Sequence, residues 1–437
     1  MTVRYLKRAN PPAPAEQAEI TSRVAAMLTE IEAGGEDAAL RYARDLDGWE
    51  GDIVLTEAEI QAASAKVPGQ LKDDIRYAHE NIRAFAEAQR ASCRDTEVEL
   101  RPGLRAGQRL IPVSAAGAYV PGGRYSHIAS ALMTVTTARA AGVGHVGAVS
   151  PPRKGEGIPP AMLYTMRLAG ADRILALGGV QGVAAMAFGL FGLPQADILV
   201  GPGNAYVAEA KRLLFGRVGI DMIAGPTDSL VIADANADPE LVAWDLVGQA
   251  EHGPTSPVWL VTDSTELGEA VLARIPQCVS SLPPLNRDSA AAAWAALGEI
   301  VICDTREEMA AHADQVAPEH LHVQAADLPW WRERLRSYGS LFLGAATTVA
   351  FGDKASGPNH VLPTSGAARY TGGLSVHKFL KTVTWQEVEP EALRDLATAT
   401  ARISRHEGME GHARTADIRL AKYFPGETFA LSPEENQ

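Results

Sequence analysis

Cysteine is scarce in this sequence, and its few copies follow no recognisable spacing. The three cysteines are Cys93, Cys278 and Cys303, and they share neither a metal-binding nor a disulfide pattern. This absence argues against a thiolate metal centre and against a disulfide-rich scaffold. Any metal would therefore need nitrogen and oxygen ligands. Free thiols are also typical of a cytoplasmic protein, which is where we expect this chain to work.

Long apolar runs and an excess of positive charge are also missing. No run of about eighteen apolar residues could span a bilayer, and residues 1–8 lack the apolar stretch of a secretory signal. The formal net charge is −13, which argues against nucleic acid as the main partner. A local basic pocket could still hold a small anion. We therefore expect neither a membrane nor a nucleic acid as a partner.

The chain is long enough for more than one hydrophobic core. Its 437 residues exceed the roughly 250–300 at which a single core stops growing, so we expect at least two domains. Hydrophobic residues make up 46% of the sequence and there are no internal repeats. The composition is that of an ordinary globular protein.

Strand-like apolar runs alternate with helical stretches along most of the chain. Helical periodicity covers 15–46 and 56–92, with a short strand expected at 52–55. Further strands are expected at 115–120, 145–149, 173–177, 198–200, 230–233, 258–261 and 299–303, separated by helices. Alternation of this kind predicts an α/β fold with parallel sheets and crossover helices. Ligands bind such sheets at the carboxyl ends of strands, where Gly-rich turns let the backbone approach a phosphate.

One Gly-rich stretch imitates a dinucleotide-binding motif. Residues 142–147 fit Gly-x-Gly-x-x-Gly, but they follow a helix and open a strand, whereas the motif requires the reverse order. We reject this stretch as a nucleotide site. The turns around Gln181 and Asn204 are better candidates.

The stretch from Asp245 to Gly253 is the first metal-site candidate. Asp234 to Glu240 is acid-rich and suits the first turn of a helix, and Gly253-Pro254 would close that helix. Gln249 and His252 are three residues apart, which places them on the same helical face. An amide oxygen and an imidazole side by side can bind a divalent metal if other segments add ligands.

Three later stretches carry further candidate groups. Glu319 and His320 stand beside an X-Pro turn and could transfer protons. The Gly-, Pro- and Ser-rich segment 348–364 is expected to be a loop that contains Asp353, Asn359 and His360. The last stretch, 407–412, precedes a C-terminal helix.

Taken together, these stretches resemble the histidinol dehydrogenase family from about residue 20 to about residue 425. The matching motifs are Tyr-Val-Pro-Gly-Gly at 119–123, Gly-Pro-Gly-Asn-x-Tyr-Val at 201–207, Ile-Asp-Met-x-Ala-Gly-Pro at 220–226, Gln-Ala-Glu-His at 249–252, Ala-Pro-Glu-His-Leu at 317–321, Gly-Asp-x-Ala-Ser-Gly-x-Asn-His-Val-Leu-Pro-Thr at 352–364 and Glu-x4-His at 407–412. Seven motifs in the same order make the resemblance specific.

The resemblance implies two incomplete Rossmann-like domains with small terminal segments. On that basis we expect an N-terminal segment at 1–20 and a discontinuous first α/β domain at 21–118 and 230–370. A second, NAD-binding α/β domain would cover 119–229. The C-terminal segment, 371–437, would be exchanged between the two subunits of a homodimer, so that His412 and Glu407 complete the partner's site.

The resemblance also implies roles for individual residues. The implied zinc ligands are Gln249, His252, Asp353 and His412. The implied acid/base pair is Glu319 and His320, with His320 near a neutral pKa and Glu319 activating water for the second oxidation step. The implied NAD contacts are Tyr119, Gln181 and Asn204. The implied substrate contacts are Thr227, His360 and Glu407.

Departures from the family pattern bear on the substrate. Arg124-Tyr125-Ser126-His127 replaces small residues and proline, and Lys354 replaces an aromatic residue. Lys378 replaces an aspartate, and Gly-Pro-Thr-Asp at 225–228 replaces Gly-Pro-Ser-Glu. Three of these changes add a cation or remove an acid, which favours an anionic substrate bound by Arg124 and His127.

Residues 124–138 resemble the branch of the family that oxidises sulfopropanediol, (R)-2,3-dihydroxypropane-1-sulfonate, to sulfolactate. We therefore expect a four-electron, NAD- and zinc-dependent oxidation of a small anionic primary alcohol through a bound aldehyde. Three alternatives stay open. They are oxidation of L-histidinol to L-histidine, a related dehydrogenase for another small polar alcohol, and a zinc-binding protein without catalysis.

Overall fold

The structure, a computed structural model, describes residues 3–11, 17–122, 126–223 and 225–431. The strands formed by these residues are β1 (Arg4–Lys7), β2 (Thr96–Arg101), β3 (Leu104–Pro112), β4 (Ala115–Tyr119), β5 (His145–Ser150), β6 (Arg173–Ala176), β7 (Ile198–Val200), β8 (Gly219–Ile220), β9 (Ser229–Ala233), β10 (Val258–Thr262), β11 (Gly298–Ile302), β12 (His320–Gln324), β13 (Ser340–Leu343) and β14 (Leu380–Val388).

The α-helices of the same residues are α1 (Gln17–Tyr42), α2 (Glu57–Ala65), α3 (Gly69–Ser92), α4 (Ile128–Ala131), α5 (Thr137–Ala141), α6 (Pro160–Ala169), α7 (Gly179–Phe188), α8 (Ala205–Leu214), α9 (Pro239–Ala250), α10 (Thr265–Ser281), α11 (Pro284–Leu297), α12 (Arg306–Val316), α13 (Leu328–Arg334), α14 (Val349–Lys354), α15 (Pro390–His406) and α16 (Glu410–Tyr423). Two π-helical segments, Ala43–Asp47 and Leu132–Thr136, extend or interrupt this set.

The chain divides into two compact units. The first comprises Met1–Arg90 and Pro112–Phe379, and the second comprises Ala91–Ile111 and Leu380–Gln437. The first unit contains both parallel sheets. The second is built from two segments that are separated in the sequence by the whole stretch from Pro112 to Phe379, so no local pattern predicts it.

The larger sheet of the first unit is covered on both faces. Its strand order is β1-β11-β10-β9-β12-β13, with every pair parallel except β1 with β11. Strand β9 sends Val231 and Ala233 into one core cluster and Leu230 and Ile232 into the other. Because both faces are buried, a strand of this sheet is apolar throughout rather than alternating.

The smaller sheet of the first unit is entirely parallel. Its order is β6-β5-β4-β7-β8. Helices α1, α7 and α8 pack together, and their apolar residues form one core cluster with residues of β6 and β7. The turns after β4, β6 and β7 therefore lie at the carboxyl edge of this sheet, as the sequence predicted.

The second unit combines a three-stranded sheet with a helical hairpin. Strands β2 and β3 pair as an antiparallel hairpin, and β14 lies next to β3. Gly107 faces Trp385 so closely that an added Cβ would stand 2.3 Å from the indole ring. Helices α15 and α16 pack against each other around Ala401 and Leu420.

The predicted α/β class and its parallel sheets are confirmed, and the predicted strands from 115 to 303 are present. The short strand expected at 52–55 is reduced to a single bridge between Val54 and Leu175. Strand β12 was not predicted, because its sequence, His-Leu-His-Val-Gln, directly follows an X-Pro turn and was read as part of that turn. The segment 348–364 is not all loop, since α14 occupies its first part.

The packing of the N-terminal helices differs from the predicted grouping of 21–118 with 230–370. Helix α1 packs on α7 and α8, and α2 packs on α6. The helices α6, α7 and α8 all lie within 119–229. Strands β2 and β3 belong to the second unit. Apolar periodicity predicts that a helix has a buried face but not which sheet covers that face.

None of the helices in the described part of the chain combines the length and the apolar character needed to cross a bilayer.

A buried ion pair braces the turn between β7 and α8. The side chains of Lys211 and Asp221 are 3% and 0% exposed and are bonded to each other. Lys211 Nζ also donates to the carbonyl oxygen of Gly201 at 2.9 Å, and Asp221 Oδ2 accepts from the Gly201 amide at 2.7 Å. The two charges thus hold both peptide groups of one glycine, whose φ is +112°.

Replacement of Lys211 by Met is expected to lower the free energy of unfolding by about 3–5 kcal/mol, because it leaves the Asp221 carboxylate buried without its counter-charge. Calorimetry of the purified variant measures the loss. The control is Arg83→Ala, which breaks an ion pair whose side chains are 56% and 60% exposed and should change stability by less than about 1 kcal/mol. Equal unfolding temperatures for the two variants would contradict the assigned role of the pair.

Candidate active site

The candidate acid/base pair lies at the amino ends of two neighbouring parallel strands. His320 opens β12 and is the register partner of Ser229, which opens β9. Glu319 and Asp228 therefore precede the strands side by side. Helix α9 runs back along the sheet and delivers Gln249 to the same edge. The candidate site of the larger sheet therefore lies at the amino ends of its strands, where α9 also ends, and not at the usual carboxyl ends.

Glu319 is held by the segment that leads into β9. Its Oε2 accepts the Thr227 hydroxyl at 2.6 Å and the Asp228 amide at 3.1 Å, and its own amide donates to Asp228 Oδ1 at 2.7 Å. Gln249 Nε2 donates to the same Thr227 oxygen at 2.6 Å. One threonine hydroxyl therefore connects the candidate acid/base residue to the candidate metal ligand.

His320 has one ring nitrogen fixed and the other left over. Nδ1 lies 2.9 Å from the carbonyl oxygen of Asp228, so it carries the proton and donates. Nε2 is buried without a hydrogen-bond partner among the described residues and lies 3.5 Å from Asp353 Oδ1. The atom available for proton transfer is therefore Nε2, and it points to the candidate metal ligand.

The pKa values of the pair are displaced in the same direction for different reasons. Burial raises the pKa of Glu319 to about 7, although the charge of His320 and the bond from Thr227 oppose this. Burial would lower the pKa of His320, but the negative charges of Glu319 and Asp353 outweigh it and raise the value to about 9. The raised pKa of His320 differs from the near-neutral value expected, because the sequence did not place two carboxylates beside the ring.

Asp353 is the ionised member of the cluster. Burial opposes its charge, but the neighbouring imidazole of His320, with those of His360 and His252, holds its pKa well below the usual range. The residue lies on α14 and not in a loop. His252 Nε2 stands 3.8 Å from Asp353 Oδ2.

Three of the four predicted zinc ligands come together in the first unit. Gln249 is in the last turn of α9, whereas His252 lies two residues beyond its end, so the prediction of both residues within the helix is corrected. Because Gln249 directs its nitrogen to Thr227, its amide oxygen is the atom that remains for a metal. Burial lowers the pKa of His252 despite the charge of Asp353, which favours the neutral imidazole that metals bind.

The donor set fits a zinc ion in its chemistry. An amide oxygen, a neutral imidazole and an ionised carboxylate are ligands that zinc accepts, and they leave a coordination position for another group. Within the described part of the chain, no group of three or more His, Cys, Asp and Glu side chains forms a metal site by itself. His412 lies on α16 of the second unit and is exposed, as is Glu407.

A second group of cationic and imidazole side chains borders Asp353. Burial, with the positive charges of Lys354, His360 and His252, lowers the pKa of His127 to about 4. His360 Nδ1 donates to the carbonyl oxygen of Asp353 at 2.8 Å. These relations gather the predicted substrate residues His127 and His360 beside the candidate metal ligands. Arg124, the main predicted anion contact, lies outside the described residues.

His360 has partners on both sides of its ring. Ser130 Oγ lies 3.1 Å from Nε2, and because Nδ1 already carries the proton, the hydroxyl donates. The sequence did not single out Ser130, which is 2% exposed on α4. Only its position among apolar residues, where a serine needs a partner, could have indicated it.

Two of the predicted NAD contacts lie together at the carboxyl edge of the smaller sheet. The hydroxyl of Tyr119 accepts the Gly179 amide at 3.1 Å, and burial raises the pKa of this tyrosine to about 12. Gln181 is 1% exposed and donates to Asp47 Oδ2 at 2.9 Å. The same carboxylate oxygen accepts the Gly178 amide at 3.0 Å.

Asp47 changes the expected use of the turn before α7. The sequence predicted a Gly-rich turn whose helix start faces a phosphate, but the chain's own carboxylate and the Tyr119 hydroxyl already accept the Gly178 and Gly179 amides. A cofactor would therefore contact this turn through other groups. Asp47 ends the π-helical segment Ala43–Asp47, more than 130 positions before Gln181 in the sequence. It was missed because no local pattern relates it to this turn.

The turn before α8 keeps an exposed end. Gly201 can only be glycine, since an added Cβ would stand 2.1 Å from the carbonyl oxygen of Tyr119. Asn204 is exposed and caps α8 by accepting the amides of Tyr206 and Val207, both at 3.1 Å. The rejected stretch at 142–147 follows α5 and opens β5, as predicted from the sequence.

The fold and the site together define an α/β enzyme with a buried acid/base pair beside a candidate metal centre. The chain belongs to the histidinol dehydrogenase family, whose model matches residues 12–420. It is therefore a dehydrogenase of that family, as the resemblance in its sequence motifs predicted.

Individual relatives and one solved structure agree with this assignment. The chain is 72% identical over 425 residues to a histidinol dehydrogenase homolog of Ruegeria pomeroyi, covering 97% of this chain and 98% of the relative. It is 62% identical over 432 residues to the sulfopropanediol 3-dehydrogenase of the same organism, covering 99% of each. The crystal structure of histidinol dehydrogenase from Elizabethkingia anophelis superposes with a TM-score of 0.89 at 33% identity, covering 95% of this chain and 94% of that one.

Thr227→Val is expected to move the acid limb of the pH–rate profile to higher pH. The Thr227 hydroxyl bond lowers the pKa of Glu319 against the effect of burial, so its loss should raise that pKa and delay ionisation as the pH increases. NAD reduction measured across pH tests this. Thr227→Ser keeps the hydroxyl and serves as the control. An acid limb at the same pH in all three proteins would refute the link.

Proposed function

We propose that this enzyme oxidises a small anionic primary alcohol to the carboxylate in a zinc- and NAD-dependent reaction. The substrate that we favour is (R)-2,3-dihydroxypropane-1-sulfonate, with (R)-sulfolactate as the product and the aldehyde kept bound. The observation that carries the proposal is the 62% identity, over 99% of both chains, to a relative named sulfopropanediol 3-dehydrogenase.

The electrostatics around the candidate site support an anionic substrate. The positive charge of Lys354 reaches His127, His252 and His360, and in each case it contributes to a lowered pKa, after burial. Burial, the larger cause of these lowered pKa values, disfavours any charge, but the positive charge of Lys354 specifically favours an added anion. A sulfonate keeps its charge at working pH and offers three acceptor oxygens, for which a protonated lysine and a neutral imidazole N–H are suitable donors.

The chain's own groups can perform the proton transfers of two successive oxidations. Nε2 of His320 takes the proton of the substrate hydroxyl, while the Asp228 carbonyl fixes the ring through Nδ1. Glu319, with a pKa raised to about 7, can accept a proton from water near neutral pH, which suits hydration of the aldehyde before the second oxidation. Burial of both side chains, 6% and 2% exposed, limits competing water.

The two cofactors supply what these residues lack. Gln249, His252 and Asp353 would hold zinc, with His412 as the fourth ligand. When bound, zinc would supply positive charge that acidifies an alcohol and offsets the negative charge of Asp353, which otherwise keeps His320 protonated. NAD would supply the hydride acceptor, and Tyr119, Gln181 and Asn204 would be its contacts.

Oxidation of L-histidinol to L-histidine is the second candidate. The chain is 40% identical over 396 residues to the histidinol dehydrogenase of Thermus thermophilus, covering 91% of this chain and 93% of that relative. This identity supports the shared dehydrogenase chemistry, but it does not explain the cationic residues that distinguish this site. A related dehydrogenase for another small polar alcohol is the third candidate. The exchanged homodimer, in which the partner supplies His412 and Glu407, and the cytoplasmic location stay predictions.

A substrate panel with NAD reduction as the readout tests the proposal. Dihydroxypropanesulfonate should give a higher kcat/KM than L-histidinol. Arg124→Ala should lower kcat/KM for the sulfonate at least roughly tenfold, equivalent to about 1.4 kcal/mol, because loss of one partner of a buried charged hydrogen bond costs on the order of 2–5 kcal/mol. Zinc content should stay the same.

The matched control for this experiment is Arg109→Ala, which removes an arginine whose side chain is 62% exposed and should leave kcat/KM unchanged. A faster reaction with L-histidinol would replace the sulfonate by the second candidate. An unaltered kcat/KM in Arg124→Ala would remove Arg124 from the substrate site.

Replacement of His252 or His412 by Ala should remove bound zinc and activity together while the protein stays folded. The ligands come from separate segments, so the loss of one weakens the metal site without opening the cores. Elemental analysis and circular dichroism measure the two effects. His377→Ala, at an exposed imidazole, is the control and should keep its zinc. Full activity of a zinc-free protein would reject the metal centre.

A further inference from the structure

The Asp245 side chain, on α9, is hydrogen-bonded to side chains of β12 and of the N-cap of α14. All three elements carry candidate site residues. Asp245 is on α9, four residues before Gln249, so the two side chains share a helical face. None of the proposed functions uses Asp245. Its side chain is 14% exposed.

The first bond of Asp245 reaches α14. The Thr348 hydroxyl donates to Asp245 Oδ1 at 2.7 Å. Thr348 stands at the N-cap of α14, a position where a threonine usually accepts an amide of its own helix, but here its side chain makes no capping bond. The hydroxyl is therefore directed to α9, and α14, which carries Asp353, is tied at its start.

The remaining contacts of Asp245 reach β12. Gln324 Nε2 donates to Oδ2 at 2.6 Å, and His322 Nδ1 lies 3.2 Å from the same oxygen without the alignment of a hydrogen bond. His322 Nε2 lies 3.0 Å from the carbonyl oxygen of Gly344, which fixes the ring from the other side. His322 is fully buried.

The register of β12 explains why these residues meet Asp245. Alternate residues of a strand project to the same face, so Leu321 and Val323 enter the core cluster on one side of the sheet. His320, His322 and Gln324 take the other side, where α9 delivers Asp245. The contacts of Asp245 thus start two residues after the candidate acid/base histidine.

We propose that Asp245 is a positioning residue that sets the relative placement of α9, β12 and α14, and through them the placement of Gln249, His320 and Asp353. This inference rests on the proposed zinc centre for its functional meaning, because two of those residues are the proposed ligands. The two oxygens of one carboxyl group accept from different elements, which lets the Asp245 side chain link α14 and β12 to α9. Its substitution acts on the site without touching a ligand.

The first test measures zinc affinity of the full-length protein by competition with a chelator. Asp245→Asn keeps the size of the side chain but replaces one acceptor oxygen with an NH2 group, so only one of the two donors, Thr348 or Gln324, keeps an oxygen acceptor on residue 245. We expect zinc binding to weaken about 10- to 100-fold, the range typical of groups that orient metal ligands. Asp238→Asn is the control, since this residue caps the same helix and asparagine caps equally well.

The second test needs no metal. Hydrogen exchange of residues 349–355 in the zinc-free protein should accelerate in Thr348→Val, which removes the hydroxyl, and stay at the original rate in Thr348→Ser, which keeps it. Asp245→Asn should accelerate exchange in the same residues. Exchange in α16 of the second unit provides the internal reference and should not change.

The two measurements separate failure of this inference from failure of the proposed function. If the unmodified protein binds no zinc but hydrogen exchange at 349–355 accelerates in Thr348→Val and Asp245→Asn, the zinc proposal is rejected and the positioning role is supported. If the protein binds zinc and Asp245→Asn binds it equally well with unchanged exchange, the positioning role is overturned. A variant that only unfolds at lower temperature, with zinc affinity and exchange unaltered, overturns it as well.

Discussion

The hydrogen bonds that join the amino ends of β9 and β12 are the constraint on which the candidate site depends. Glu319 and Asp228 exchange bonds between side chains and amides, and Thr227 closes the arrangement with a 2.6 Å bond to Glu319. These groups are buried, so a lost bond would leave a desolvated polar atom and cost about 1–3 kcal/mol. The parallel register of the two strands sets the spacing, and the bonds then fix which atoms of Glu319 and His320 are available for chemistry.

Charge is arranged around this constraint in a consistent way. The carboxylate of Asp353 stays ionised because the imidazoles around it lower its pKa, whereas burial raises the pKa of Glu319 towards neutral pH. These two acids of the same candidate site thus acquire different tasks from their surroundings. One is suited to holding a cation and the other to moving a proton. Lys354 adds positive charge at the border of the site, where an anionic substrate would be stabilised.

The smaller sheet follows a different logic. Its two Gly-rich turns have the form of anion sites, yet the chain itself fills their first amides, with Asp47 at Gly178 and Asp221 at Gly201. An internal carboxylate at such a turn stabilises the helix start and rigidifies the loop. Rigid turns at a strand edge suit a site that must hold a large cofactor in one orientation.

The sequence alone determined the class, the strand order along the chain from 115 to 303, and the family, because apolar runs, glycine turns and seven ordered motifs are local signals. It also named the residues that meet at the site, from Gln249 to Asp353. Only the tertiary structure decided the ionisation of Glu319 and His320 and the roles of Asp47, Ser130 and Asp245. Burial and contacts between distant segments produce these properties, and neither leaves a local pattern in the chain. Strand β12 was missed for a related reason, since the partners of its buried polar face, Asp245 and Asp353, lie on α9 and α14.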